Sequence, residues 1–414
     1  MNNDWSTRNG WTETTLGEGA SNIAYGFTES ATLEKIGPKF LRITDIQNDF
    51  IDWNSVPYCP ISEREHKKYK LEIGDVVIAR TGNSTGATST IKQDIDAVFA
   101  SYLIRFKIDF KKADFRFIDF LLRSAFWKGF VKSIKGGSAQ GGANAKNFAE
   151  FPILLPSLPE QKAIADVLTS FDDKIELLRQ QNQTLEEMAQ TLFKEWFVYY
   201  RFPGVGKMVD SELGMIPEGW KVDNIGQYVN IKGGTTPSTK NPDYWDGKIH
   251  WTSPKDLSNI KQPYLFDTEK KITPEGLKKI SSGLLPKGTL LFSSRAPIGY
   301  VAISNVDIAI NQGYIAFLPC GYLSNYFMFN WLKVNSKSIV GAANGSTFLE
   351  ISKSSFRSLL TVIPEETVLD KFERVSFTIF QKLLSNLIQI QSLTQLRDSL
   401  LPKLMSGEVR VNDF

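Results

Sequence analysis

The reactive parts in this sequence are few. His66 and His250 are the only imidazoles, and Cys59 and Cys320 the only thiols, in 414 residues. Two cysteines cannot build a disulfide framework or a four-thiolate zinc site. Two histidines starve most zinc-hydrolase and histidine-triad chemistries, so a metal-free chain is expected. No Gly-x4-Gly-Lys-Ser/Thr loop is present, and the run Gly136-Gly137-Ser138-Ala139-Gln140-Gly141-Gly142 lacks the lysine a phosphate cradle needs. Gly82-Asn83-Ser84-Thr85-Gly86 has the spelling of a G-x-S-x-G serine elbow, but it reads as a turn cluster. Glu65-His66-Lys67 has the spacing of half a nuclease site, but no upstream aspartate frames it. It lies in the charge run Glu63–Lys70, which is expected to be a solvated helix.

Asn241-Pro242-Asp243-Tyr244 approximates the Asn-Pro-Pro-Tyr loop of amino-group DNA methyltransferases. That loop needs a buried strand before it and a separate glycine-rich cofactor loop. Here the second proline is missing and a polar turn, Thr236–Lys240, precedes it. What remains is binding. Reading a DNA edge takes Arg, Lys, Asn, Gln and Ser/Thr on loops that can enter a groove, and two loop families offer them. The first holds Arg80, Thr81, Asn83 and Ser84, matched by Ser293, Ser294 and Arg295; each follows an apolar strand that would project it from a rigid end. The second holds Gln140, Asn144 and Lys146, matched by Asn344 and Ser346, with glycines that permit close approach to phosphates. Asn311 and Gln312 add an amide pair able to bond adenine edges. Arg80 and Arg295 are expected to touch bases or phosphates. Each loop taken alone is equally an ordinary exposed turn.

The elements that must position these loops occur twice. Gly10-Trp11 returns as Gly219-Trp220, 209 residues later, and Gly26-x-Thr28-x-Ser30 as Gly234-x-Thr236-x-Ser238, 208 residues later. Phe148 and Pro156 answer to Phe356 and Pro364, again at 208. Looser echoes pair Ala79-Arg80 with Ser294-Arg295. Colinear matches at a nearly constant offset of half the chain imply duplication of a domain-sized unit. Each copy opens with short β-rich runs, such as Asp75–Ala79, Thr289–Phe292 and Gly299–Ile303, punctuated by turns. Helices are expected at Phe115–Val131 and Ser324–Val334, giving a mixed α+β globule.

Each copy closes on a long helix. From Pro159, Ile164, Leu168, Phe171, Ile175, Leu178, Asn182, Leu185, Ala189, Leu192 and Trp196 follow steps of four and three, the seam of a coiled coil. The second copy places Phe372, Ile379, Leu383, Ile390, Leu393, Leu400 and Leu404 at the shifted positions, interrupted by Ser376, Asn386 and Arg397. Asn182 is either a buried polar contact that fixes register or a solvated break. Tandem copies related by a pseudo-two-fold would run the helices antiparallel. Leu177, Phe193, Trp196, Phe197, Leu387, Ile388 and Leu401 are then either a docking face for a partner or internal core. A rod of roughly 33 residues spans about 50 Å, enough to separate two half-sites about 34–36 Å apart on one face of a duplex.

The expected class is therefore α+β: two tandem globules, 1–157 and 201–363, separated by two long antiparallel coiled-coil helices, 158–200 and 364–405, with a tail at 406–414. Hydrophobic residues make up 42% and charged residues 22%, ordinary for a soluble globular chain. No run approaches the roughly 18 apolar residues of a membrane span. The start Met1-Asn2-Asn3-Asp4-Trp5 has no secretory pattern, so a cytoplasmic protein is expected. The formal charge of +3 would neutralise few phosphates alone, which points to a partner that closes around the DNA.

Four stretches carry a family resemblance: Leu158-Pro159-Glu160-Gln161-Lys162-Ala163-Ile164-Ala165, Leu192–Phe197, Ser211–Trp220 and Leu396–Glu408. Together they resemble the specificity (S) subunits of Type I restriction-modification systems, and the likeness covers the whole chain. It implies a non-catalytic phage-defence subunit whose two target-recognition domains read a bipartite double-stranded DNA site around a nonspecific spacer. It also implies two modification subunits docked on the helices, methylating adenine with S-adenosylmethionine. Restriction subunits using ATP and Mg would join them. Two other readings are a self-contained DNA methyltransferase with duplicated recognition domains and a coiled-coil scaffold that never meets nucleic acid.

Overall fold

In the computed structural model, residues 10–46, 51–135, 143–258, 260–295, 297–344 and 349–411 are described. The chain divides into two compact units, one of Met1–Leu177 with Gln389–Phe414 and one of Leu178–Ile388.

The first unit is organised around the strand Asp75–Ala79, buried from end to end. Leu103–Ile108 and Thr88–Thr90 flank it, both antiparallel, and Ala20–Tyr25 pairs on the far side of Leu103–Ile108. Side-chain alternation sends the two faces of that strand into different cores. Val76 and Ile78 join Ile104, Phe106, Phe117 and Trp127, while Val77 and Ala79 join Leu41, Ile91 and Phe99. The first face is covered by helices Phe115–Arg123 and Ala125–Lys135. The sequence pattern reads these as one helix. Ser124, in extended backbone, breaks it, and its hydroxyl donates to the Leu121 carbonyl at 2.6 Å. Thr12–Thr15 pairs antiparallel with Pro152–Leu155, and Lys39–Leu41 runs parallel to Ala97–Phe99.

The second unit repeats this plan. Leu290–Ser293 lies antiparallel between Tyr314–Phe317 and Val301–Ser304. Lys221–Asn224 pairs with Leu360–Ile363, and Trp245–Thr252 runs parallel to Ile308–Ile310. The agreement extends to single hydrogen bonds. Leu16 N–H donates to the Phe151 carbonyl at 2.9 Å, as Ile225 N–H does to Leu359 at 2.9 Å. Phe27 N–H donates to Phe99 at 2.8 Å, as Thr235 N–H does to Ile310 at 3.1 Å. Gly26 and Gly234, just before those donors, press on the facing backbone so closely that a Cβ would meet Ala100 O at 2.2 Å and Ile310 O at 1.8 Å.

The long helices are Leu158–Phe197 and Glu366–Met405, 40 residues each and beginning 208 residues apart. Each contributes one segment to each unit. In the first unit Ile164, Ala165 and Leu168 share a core with Trp11, Leu404 and Met405, and Gly407 lies against the Trp11 ring. Asp172 there bonds Arg397 at 2.7 Å and Arg123 at 2.8 Å. In the second unit Asn182 meets Asn386, and Phe193 meets Phe372. Within each unit the two helical segments therefore run antiparallel. Ile164, Leu168, Ile175, Leu178, Asn182, Phe372, Ile379 and Leu383 are buried. Phe171, Leu185, Leu192, Ile390, Leu393 and Leu400 are half-buried.

Asn182 is the buried contact rather than the solvated break. The Asn386 side-chain amide donates to Asn182 Oδ1 at 2.9 Å, so the residue that interrupts the second seam is the partner of the one that interrupts the first. Asn182 Nδ2 and Asn386 Oδ1 have no partner among the described residues. Such a pair specifies register at a cost in stability. Replacing Asn386 alone with Leu should cost about 1–3 kcal/mol by stranding Asn182. The double replacement Asn182→Leu with Asn386→Leu should recover that loss. Thermal melts of the four proteins measure this, and a double variant worse than the sum of the singles would refute the pairing.

Two of the partner-docking assignments, Phe193 and Leu387, need correction. Phe193 is buried against Phe327 and Phe372; Phe197 packs on Trp220, Phe327 and Phe372, and Trp196 on Phe202 and Phe372. Leu387 is also buried, and Leu401 packs on the core of the first unit. Phe193 and Leu387 are buried, whereas Trp196, Phe197 and Leu401 are half-buried where they pack against core clusters. Leu177 and Ile388 remain exposed.

Candidate nucleic-acid interface

In the first unit the strand Asp75–Ala79 delivers the chain to the loop 80–86, and the loop is pinned at its far end. Gly86 sits at φ +86° against the Val131 side chain, and the Trp127 indole N–H donates to its carbonyl at 2.8 Å. Thr85 is buried, its hydroxyl donating to the Gly82 carbonyl at 2.8 Å. A loop closed at both ends presents its middle: Asn83 is exposed, and Thr81 and Ser84 are half-exposed.

Arg80 is held by its own backbone, whose N–H donates to Tyr102 O and whose carbonyl accepts from Ala143 N–H, both at 3.1 Å. Its guanidinium lies over the Tyr25 ring, 5.1 Å from the centroid, a cation–π arrangement. The Tyr25 hydroxyl in turn accepts from Ala145 N–H at 3.1 Å. Asn144 caps the short helix Ala145–Ala149 reciprocally with Asn147, and Lys146 beside it is exposed. Arg80, Asn83, Asn144 and Lys146 are thus brought to one end of the sheet. Gln140 lies outside the described residues, as does Ser346 in the second unit.

The second unit keeps the frame and changes the side chains. Ser294 N–H donates to Gly313 O at 2.8 Å, and Ser294 O accepts from Ile351 N–H at 3.0 Å. The backbone counterpart of Arg80 is therefore Ser294, and the pairing of Arg80 with Arg295 is one residue out. Ser293 and Ser294 must also be withdrawn as surface contacts, because both are buried. The Ser293 hydroxyl donates to Pro297 O and accepts from Tyr300 N–H, each at 2.8 Å, which makes it a turn brace. Arg295 is half-exposed with Glu350 at 3.5 Å, and Asn344 bonds the Glu350 backbone. Asn311 Oδ1 accepts from Gly313 N–H at 2.8 Å, and Gln312 Oε1 from the Thr236 hydroxyl at 2.7 Å, so both amides keep their N–H groups for other acceptors.

The remaining chemistry is quiet. Glu65, His66 and Lys67 lie on the helix Glu63–Tyr69, which has no buried residue, with His66 Nε2 2.7 Å from Asp96. Asn241 spends its side-chain oxygen on Asp243 N–H as a cap. Burial pushes the Cys59 thiol up to about 11, far from a thiolate nucleophile. Among the described residues no cluster of His, Cys, Asp or Glu could hold a metal ion, and no helix is long and apolar enough to cross a membrane.

The model of the Type I restriction modification DNA specificity domain matches residues 25–187 and again 217–396. The chain belongs to that family. Relatives include the Type I restriction enzyme HindI specificity subunit of Haemophilus influenzae, 24% identical, with 96% of this chain and 99% of that protein covered. The MjaIX specificity subunit of Methanocaldococcus jannaschii is 28% identical over 72% of this chain and 70% of its own. The solved S subunit of a Type I system from M. genitalium shares the fold, with a TM-score of 0.60 at 18% identity over 98% of this chain and 97% of that one. This chain is a Type I specificity subunit with two recognition domains, the non-catalytic member of its system.

In this specificity subunit Tyr25 and Tyr102, both exposed, flank Arg80, and neither stood out in the sequence. Tyr25 immediately precedes the repeated Gly26, which was the available signal; Tyr102 carried none.

Proposed function

We propose that this specificity subunit reads a bipartite, asymmetric site in double-stranded DNA, one half with each unit. Arg80, Thr81, Asn83, Ser84, Asn144 and Lys146 would serve one half, and Arg295, Asn311, Gln312 and Asn344 the other. One observation carries the reading. The same backbone frame recurs in both units, with Arg80, Tyr102 and Ala143 in one standing where Ser294, Gly313 and Ile351 stand in the other. A shared frame with divergent side chains suits two readers of different sequences. The two long helices, paired as an antiparallel coiled coil within a pseudo-two-fold repeat, would set the spacer between the halves. Two modification subunits holding S-adenosylmethionine would dock on them, in the cytoplasm, joined by restriction subunits that use ATP and Mg. The small net charge supports this division of labour, because partners must supply most phosphate neutralisation.

The test is an exchange. With residues 1–155 replaced by those of another specificity subunit and the complex assembled, methylation mapping should show one half of the site changed and the other kept. A change in both halves, or methyl transfer by the chain alone, would overturn the reading.

A further inference from the structure

The geometry points to Arg80 as a base-reading residue aimed at guanine, with Tyr25 as its positioning residue and no counterpart in the second unit. The inference rests on the proposed reading of DNA by each unit and assigns one letter within it.

The other buried and half-buried arginines among the described residues are each answered by a carboxylate: Arg42 by Asp45, Arg105 by Asp75, Arg116 by Asp114, Arg123 by Asp172, Arg295 by Glu350, Arg397 by Asp172 and Arg410 by Glu160. Arg80 has no ion pair among the described residues. It is nevertheless held in place, by two backbone hydrogen bonds and by the face of Tyr25. Its Nε is buried without a partner among the described residues, as are those of Arg105 and Arg123, which leaves the two terminal nitrogens to donate to a ligand. That edge is a fixed pair of parallel donors. The groups that match it are two acceptors side by side, which guanine O6 and N7 supply in the major groove. A phosphate offers a similar pair, but a phosphate contact does not need a fixed guanidinium plane. Exposed Lys146, on the short helix that Tyr25 braces, is the simpler anchor for the backbone.

The hydroxyl of Tyr25 holds the ring that holds the guanidinium, by accepting from Ala145 N–H. In the second unit the corresponding frame position is Ser294, which is buried, and its neighbour across the frame is Gly313 rather than Tyr102. The second unit therefore has no arginine at this frame position, and Arg295 beside it faces Glu350 at 3.5 Å.

The experiment uses the full chain assembled with its modification subunits and maps methylated sites for the wild type and the Arg80→Ala, Arg80→Lys and Tyr25→Phe variants. Arg80→Ala should relax one guanine of one half-site to any base, lowering the preference on the order of 10- to 100-fold, with the other half untouched. Arg80→Lys keeps the charge but loses the fork, and should relax the same letter. Tyr25→Phe keeps the ring and frees its edge, giving a smaller relaxation at that letter. Melting temperatures of all variants control for folding. An unchanged motif with uniformly weaker, less salt-sensitive modification would make Arg80 a phosphate contact and overturn the inference, while leaving the bipartite reading intact. A mapped motif that is not bipartite would overturn that reading instead.

Discussion

Gly234→Ala should unfold the second unit at temperatures where the parent is native. The added methyl would stand 1.8 Å from Ile310 O and 2.4 Å from the carbonyl carbon behind it. Both atoms are backbone, and the same carbonyl accepts from Thr235 N–H at 3.1 Å, so neither segment can give way without breaking that bond. Ile310 ends a strand that pairs in parallel with Trp245–Thr252, so a shift there spreads through the sheet. Overpacking costs about 1–3 kcal/mol where side chains absorb it and more where they cannot; here the loss should exceed about 3 kcal/mol, a large share of the roughly 5–15 kcal/mol that holds a domain together. Gly26→Ala should do the same to the first unit, with Ala100 O at 2.2 Å and Phe99 O at 2.4 Å. Gly129→Ala is the opposing control. It is exposed within the helix Ala125–Lys135 with nothing among the described residues inside 4 Å of a new Cβ, and should stabilise by up to about 1 kcal/mol. Circular dichroism melts check all three. A Gly234→Ala protein that melts with the parent would refute the close approach.

The second large effect centres on Asp172. Burial alone would raise its carboxyl, but Arg123 and Arg397 outweigh burial and hold it below the usual aspartate range. Because the folded pKa lies below the unfolded one, near 3.9, the carboxylate stabilises fully above the unfolded value. That contribution fades as pH falls through the folded one. Asp172→Leu should remove it at every pH and leave two largely buried guanidiniums short of a carboxylate. Arg123 keeps Asp119 at 3.2 Å and Arg397 keeps Asp398 at 2.8 Å, so the cost belongs near the lower end for a broken buried pair, about 3 kcal/mol. Denaturant melts at pH 7 and pH 3 should show a large gap between parent and variant at neutral pH that narrows in acid. A gap that stays constant would remove the charge from the explanation.

The long helices were the most legible part of the sequence, because a 3.5-residue apolar period over 40 residues fits no other element. Their observed bounds fall within three residues of the expected 158–200 and 364–405. The strand Asp75–Ala79 and the helix Asn325–Val334 were also legible. Ser124 was not, since its break leaves the apolar spacing of the two flanking helices almost in phase. The equivalence of Arg80 and Ser294 was hidden because the offset between copies drifts from 208 near the helices to 214 in the interior, and only hydrogen bonds show where a frame resumes. The packing of Phe193, Trp196 and Phe197 involves Phe327 and Phe372, far away in the chain, which a local helical pattern cannot reveal.

The first unit is discontinuous in sequence, and that imposes an order on biosynthesis. Leu404 and Met405 complete a core that begins at Trp11, with all of residues 178–388 intervening. At about 5–20 residues per second, the ribosome needs on the order of ten to forty seconds to cross that insert. The amino-terminal reader must wait, unfinished, while the one encoded after it can already close. A nascent chain thus exposes its earlier half longest, and that half is where chaperones should be found.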